Sequence, residues 1–168
     1  SFNGAPQTFQ GLVIIGAGNG NKGVSGRVMA YEAATGREVW RYTLTPRKES
    51  GGDSSTQGGT AFIGGGISGS TYTIDVGTAE VFIPVGKPAP DLLVSERTEE
   101  TQFPGGLVVL DANTGLQKWR YPLGQDEGHK LDISAAPVLY YSKDGQRMVG
   151  FGSRDGYVYS LDRDSFER

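Results

Sequence analysis

Short apolar runs alternate with Gly-rich and polar stretches along this chain, and no run keeps a helical period over ten residues. Residues 10–16 (QGLVIIG) are an apolar run bounded by Gly, the pattern of a buried strand. Residues 26–32 alternate and predict the next strand. Ala33-Ala34-Thr35-Gly36 is a turn, where Gly36 supplies a positive φ and Glu32 or Thr35 can accept from the turn amides. Residues 38–43 return as a strand, and residues 5–9 add one in front. Residues 70–75 and 79–85 predict a hairpin, and 106–121 a second one. Residues 136–141, 147–152 and 157–162 predict three more strands, joined at Lys143-Asp144-Gly145 and Arg154-Asp155-Gly156, and Asp-Gly is a strong hairpin signal. Three stretches without period separate these elements: 46–69, 86–104 and 122–132.

Two hairpins are copies of one unit. Glu32-Ala33-Ala34-Thr35-Gly36 runs on to Trp40-Arg41-Tyr42, and Asp111-Ala112-Asn113-Thr114-Gly115 runs on to Trp119-Arg120-Tyr121 with the same spacing. Repetition of a strand–turn–strand unit predicts an array of small sheets. In register with the second copy, Asp162 matches Asp111, Ser165 matches Thr114 and Phe166 falls where Gly115 sits. The matching Trp would lie beyond Arg168. The chain therefore reads as all-β, a β-propeller segment of about three four-stranded blades. Residues 1–45 are one blade, 46–69 a Gly-rich loop, 70–122 a blade with an inserted loop at 86–104, and 123–168 a blade lacking its outer strand. Open blade faces aggregate or pair, so the expectation is completion by other chains or by a second copy.

Composition sharpens this picture in a few places. Gly accounts for 27 of 168 residues, about twice ordinary usage, with no collagen period, which fits many tight turns. Net charge is −3 with both signs mixed, so no basic stripe suggests nucleic acid. No apolar run is long enough to span a bilayer as a helix. There is no Cys, hence no disulfide and no thiolate metal site. The chain begins at Ser1 without a signal-like segment, and a mature, processed or excised polypeptide all fit.

The repeats at 26–40 and 106–119 resemble the tryptophan-docking repeats of quinoprotein alcohol dehydrogenases. The likeness extends through Val13-Ile14-Ile15-Gly16 and Gly23-Val24-Ser25-Gly26, similar to the strand and loop around that family's "GVRG" element. Val85-Gly86-Lys87-Pro88-Ala89-Pro90 resembles its "TGNPAP" loop, and residues 156–163 (GYVYSLDR) its "GFVYVLDR" strand. Scaffold propellers such as outer-membrane assembly lipoproteins share the repeats, but the three loops in order favour the dehydrogenase branch. The resemblance implies an eight-bladed propeller, pyrroloquinoline quinone with Ca²⁺ or a lanthanide on the central axis, and a periplasmic or otherwise exported location.

The family's site residues do not carry over. The first metal ligand, a Glu, corresponds to Asn21, and the second, the Asn of "TGNP", to Lys87. The catalytic base corresponds to Lys130 and the Trp before it to His129, in alignment from Pro137-Val138-Leu139. The Trp that stacks under the quinone corresponds to Gly69. Asp132 matches the extra carboxylate of lanthanide-type members, and a two-residue slip would place it on the base instead. Hard cations want anionic or carbonyl oxygens. An ammonium there repels the ion by about 4 kcal/mol per pair at 4 Å and an effective dielectric near 20. The expectation is therefore no metal and no quinone.

Other candidates have plainer readings. Gly18-Asn19-Gly20-Asn21-Lys22-Gly23 follows a strand, but a dinucleotide loop should open a helix and a strand follows instead. Trp40 and Trp119, with Gly36 and Gly115, are structural wedges between blades rather than ligand platforms. His129 is the only His and, with Lys130 and Asp132, is the weak catalytic candidate set. Asp126, Glu127, Glu96, Glu99 and Glu100 read as solvated charge. Leu92-Leu93-Val94 and Phe103, apolar in a polar loop, mark a contact with something else. Two functions remain: a non-catalytic propeller segment used in assembly or protein binding, or part of an active quinone-dependent alcohol or aldehyde dehydrogenase passing electrons to a cytochrome. A quinone-free hydrolytic variant using Asp132 is a more distant third.

Overall fold

A computed structural model describes residues 4–19, 24–44, 65–67, 71–88, 105–123, 133 and 135–165. These form twelve strands and, among the described residues, no helix. The first sheet is an antiparallel meander of β1 (Gln7–Phe9), β2 (Leu12–Asn19), β3 (Val24–Glu32) and β4 (Glu38–Thr43). The second contains β5 (Gly65–Ile67), β6 (Thr73–Asp75), β7 (Glu80–Pro88), β8 (Gly106–Asp111) and β9 (Gln117–Pro122). The third has β10 (Val138–Tyr141), β11 (Arg147–Gly152) and β12 (Val158–Asp162).

β5 and β6 share one edge of β7. Gly65 and Ile67 pair with Pro88 and Val85, while Thr73 through Asp75 pair with Phe82 through Glu80. The two short strands are one interrupted position, so the second sheet is also four strands wide. β5 lies within 46–69, where Gly65 and Gly66 give no side-chain pattern to read; the free edge of β7 imposes the pairing. β7 likewise continues through Gly86, Lys87 and Pro88, residues read from sequence as the start of a loop.

The repeated turn is built the same way in both copies. Gly36 (φ 72°) donates its amide to the Glu32 carbonyl at 2.8 Å, and Gly115 (φ 71°) donates to the Asp111 carbonyl at 2.8 Å. The Asp111 carboxylate also accepts the amides of Asn113 (3.0 Å) and Thr114 (2.9 Å). Asp162 begins the third copy, accepting from the amides of Asp164 (2.7 Å) and Ser165 (3.2 Å). Each complete copy carries a β-bulge just before its turn, between Ala30 and Tyr31 and between Val109 and Leu110.

The sheets stack face to face. Alternation sends successive residues of β7 and β8 to opposite faces. Val81, Ile83, Val85, Val108 and Leu110 meet Ile14, Val28 and Ala30 of the first sheet in one buried cluster. Phe82, Leu107 and Val109 meet Val149, Phe151 and Leu161 of the third in another. Stacked four-stranded sheets of this kind are successive blades of a β-propeller.

Trp40 fixes the first joint. Its ring lies over Gly115 so closely that a Cβ there would sit 2.6 Å from it, and its Nε1 donates to the Ala112 carbonyl at 3.0 Å. Tyr42 donates to the Gln117 amide oxygen, and Arg120 Nη2 to the Leu44 carbonyl at 2.9 Å. Trp119 is half-buried against the second cluster and stacks on Tyr121 at 5.9 Å between centroids. Phe166, where sequence register places its glycine seat, lies outside the described residues.

Gly36 and Gly115 thus share a backbone but not an environment. A Cβ at Gly36 meets nothing within 4 Å. In the 168-residue chain, Gly36→Ala should cost about 1–2 kcal/mol for the left-handed backbone alone. Gly115→Ala should cost about 2–4 kcal/mol, because displacement of the indole adds to that strain. Chemical denaturation of the two variants checks this; equal losses would contradict the docking of Trp40 on Gly115.

Candidate functional site

The positions equivalent to the family's site are reached through their flanking elements. β2 ends at Asn19, which pairs with Val24 at the start of β3, so residues 20–23 join these two strands. β5 lies against β2 and β3 and pairs with the last residues of β7. Ile133 bridges to Ser153, just past the end of β11. The ends of β2, β7 and β11 are equivalent in the repeat, so the described flanks of Asn21, Lys87 and Asp132 belong to one end of the stack. Asn21, Gly69, His129, Lys130 and Asp132 themselves lie outside the described residues, and for Lys87 only its place in β7 is described. Trp40 lies in the buried cluster of the first and second sheets, Trp119 packs on the cluster of the second and third, and Gly36 and Gly115 occupy turns with positive φ.

Among the described residues, no group of three or more His, Asp or Glu side chains is arranged to hold a metal ion. A dense cluster of described charges lies instead at the joint of the second and third sheets. Arg163 follows β12, with its side chain 6% exposed. Its Nη2 donates to Asp75 Oδ2 at 2.5 Å, Glu80 Oε2 at 3.0 Å and Thr78 Oγ1 at 3.3 Å. The guanidinium carbon sits 4.9 Å over the Phe82 ring, a cation–π contact.

Both carboxylates are shaped to stay ionised. Burial pushes Asp75 up, but the hydrogen bond from Arg163, the amides of Gly77 and Thr78 and the guanidinium charge together hold it below the ordinary carboxylate range. Burial likewise pushes Glu80 up, and hydrogen bonds from Thr78, Arg163 and Lys118 outweigh it. Lys118 Nζ reaches Glu80 Oε1 at 3.2 Å. These carboxylates are committed to cations of the protein itself, so the cluster serves as a fastener rather than as an acid, base or ligand set. Sequence reading missed it. Its one signal is that Arg163 occupies the register position of buried Ala112, where a long charged side chain needs a partner.

Comparison with known proteins fits the fold and the repeats. The chain is 32% identical over 190 residues to methanol dehydrogenase [cytochrome c] subunit 1 of Methylorubrum extorquens, covering 95% of this chain and 29% of the relative. Among solved structures, quinohemoprotein alcohol dehydrogenase from Comamonas testosteroni superposes with a TM-score of 0.70 at 25% identity, over 95% of this chain and 26% of that one. A europium-containing methanol dehydrogenase superposes with a TM-score of 0.79 at 21% identity, over 98% of this chain and 32% of that one, a likeness of fold. The chain thus spans under a third of the length of these relatives. The family model for the glucose/ethanol/alcohol dehydrogenase β-propeller domain (PQQ) matches residues 1–166, and this chain belongs to that family.

Proposed function

We propose that this chain is a non-catalytic segment of a quinoprotein-dehydrogenase-like propeller, acting in assembly or protein binding, in an exported, periplasmic setting. The observation that carries this reading is the chemistry of the positions inherited from the family: Lys87 stands for a ligand Asn and Lys130 for the base. An ammonium has three donors and no lone pair, so it cannot ligate a cation. Asn21 offers one neutral oxygen in place of a carboxylate, and Gly69 offers no ring on which a quinone could stack. Taken together, this donor set does not fit a quinone–metal pair, and no catalytic step is derived through one. Fold alone does not restore the activity, because function resides in the site.

Apolar surface supports the binding half of the proposal. On the third sheet, Val138 (61% exposed), Tyr140 and Val158 (82% exposed) make an outer face that no described residue covers. Leu92-Leu93-Val94 and Phe103, apolar positions of the sequence between 86 and 104, lie outside the described residues. Other blades, from other chains or from a second copy, would cover such surface.

One observation favours a second reading, that of an active quinone-dependent alcohol or aldehyde dehydrogenase passing electrons to a cytochrome. The 32% identity to a methanol dehydrogenase subunit runs over 95% of the chain, beyond the repeats alone. In that case Asp132 would serve as the carboxylate on the axis, and the cofactor would be pyrroloquinoline quinone with Ca²⁺ or a lanthanide.

Two measurements separate these readings. Absorption spectroscopy with elemental analysis of the purified protein should find neither quinone nor a stoichiometric Ca²⁺ or lanthanide, even after both are added back and excess is removed. Stoichiometric loading would establish the second reading. Native mass spectrometry should find the chain within a particle heavier than one copy, and a well-behaved single-copy monomer would contradict completion by other blades.

A further inference from the structure

The two blade joints are fastened by different chemistry. At the first, Trp40, Tyr42 and Arg120 donate to neutral acceptors: the carbonyls of Ala112 and Leu44 and the amide of Gln117. At the second, the equivalent of Ala112 is Arg163. The backbone agrees with this equivalence: Ala112 N donates to Ala79 O, and Arg163 N to Arg147 O, each at 2.8 Å. A small buried residue at one joint is thus a buried cation at the other, and its guanidinium reaches Asp75 beside the β6–β7 turn and Glu80 on β7.

The surrounding charges come from every neighbouring strand. Lys118 of β9 binds Glu80, and Asp111 of β8 is the register partner of Glu80. Arg147 of β11 is close enough to Asp75 and Glu80 to feel their charge, and its guanidinium is paired with Asp164 beyond β12. Among these described charges, Arg163 is the one that both crosses from the third sheet and sits buried, against Phe82.

We propose that Arg163 is an acid-releasable latch: protonation of Asp75 and Glu80 lets its guanidinium go, and the third sheet parts from the second while the first stays docked. The guanidinium keeps its charge at any pH a protein meets, so the carboxylates are the moving part. Once they are neutral, the buried cation has lost both carboxylates that bind it, keeps only the more distant field of exposed Asp164, and withdraws to water. The sign follows from the direction of both shifts. Each carboxyl is held below its ordinary value, 3.8 for Asp75 and 4.5 for Glu80. Their contribution is therefore complete above those values and is lost as pH falls through the lower, folded-state ones. Neutral acceptors at the first joint have no such dependence.

Hydrogen–deuterium exchange of the intact protein, read by peptide and corrected for the intrinsic effect of pH, tests this directly. Between about pH 6 and about pH 2.5, peptides of β11 and β12 should lose about tenfold more protection than peptides of β3 and β4. In Arg163→Met the third sheet should be less protected at both pH values, with its pH dependence gone. Asp75→Asn keeps an acceptor oxygen for the Gly77 and Thr78 amides and so spares the turn; it should shrink the acid-induced difference. Parallel loss of protection in the first and third sheets overturns the proposal. So does an undiminished acid response in Arg163→Met or, should that variant not fold, in Asp75→Asn.

Discussion

A sheet that is apolar on both faces is stable in water only when something covers each of them. The second sheet meets that condition within this chain. Val81, Ile83, Val85, Val108 and Leu110 are buried against the first sheet, while Phe82, Leu107 and Val109 are buried against the third. The strict alternation of β7 and β8 makes this possible, and it ties all three sheets to one another. The third sheet lacks the same protection on both sides: among the described residues, Val138 and Val158 stand largely in solvent. The same constraint that holds the segment together explains why propellers are built as rings.

The two joints show how one repeat can diverge without loss of geometry. The turn after β3 and the turn after β8 share a glycine near φ 70° and the same amide-to-carbonyl bond. At the first joint the space over Gly115 takes the Trp40 ring. At the second, the position equivalent to Ala112 is Arg163, which spans to Asp75 and Glu80 and lies over Phe82. A neutral fastener and a charged one occupy matching places, so the joints answer differently to the same change of solution conditions.

Much of this was legible in the sequence. The apolar run of β2, the Thr-Gly turns and the paired Trp residues state their roles locally, through periodicity and turn chemistry. β5 was not legible, because Gly65 and Gly66 carry no side chains to alternate and the strand exists only by pairing with β7. The Arg163 cluster was hidden for a different reason. Its partners are far away along the chain, and Arg163 after Asp162 looks like any solvated turn residue. The expectations at Asn21, Gly69, Lys87, His129, Lys130 and Asp132 came from alignment alone, since no local pattern encodes a site assembled from several blades, and of these positions the described residues include only the backbone of Lys87.

The proposed function rests on those positions. In the proposed alignment Lys87 stands for a ligand Asn and Lys130 for the base, and an ammonium offers a cation no lone pair. Anomalous diffraction from crystals of the assembled particle, grown with Ca²⁺ and a lanthanide present, measures this most directly. The account predicts no anomalous peak within ligand distance of Asn21 or Asp132. A peak there, with a planar quinone ring beside it, would contradict the account.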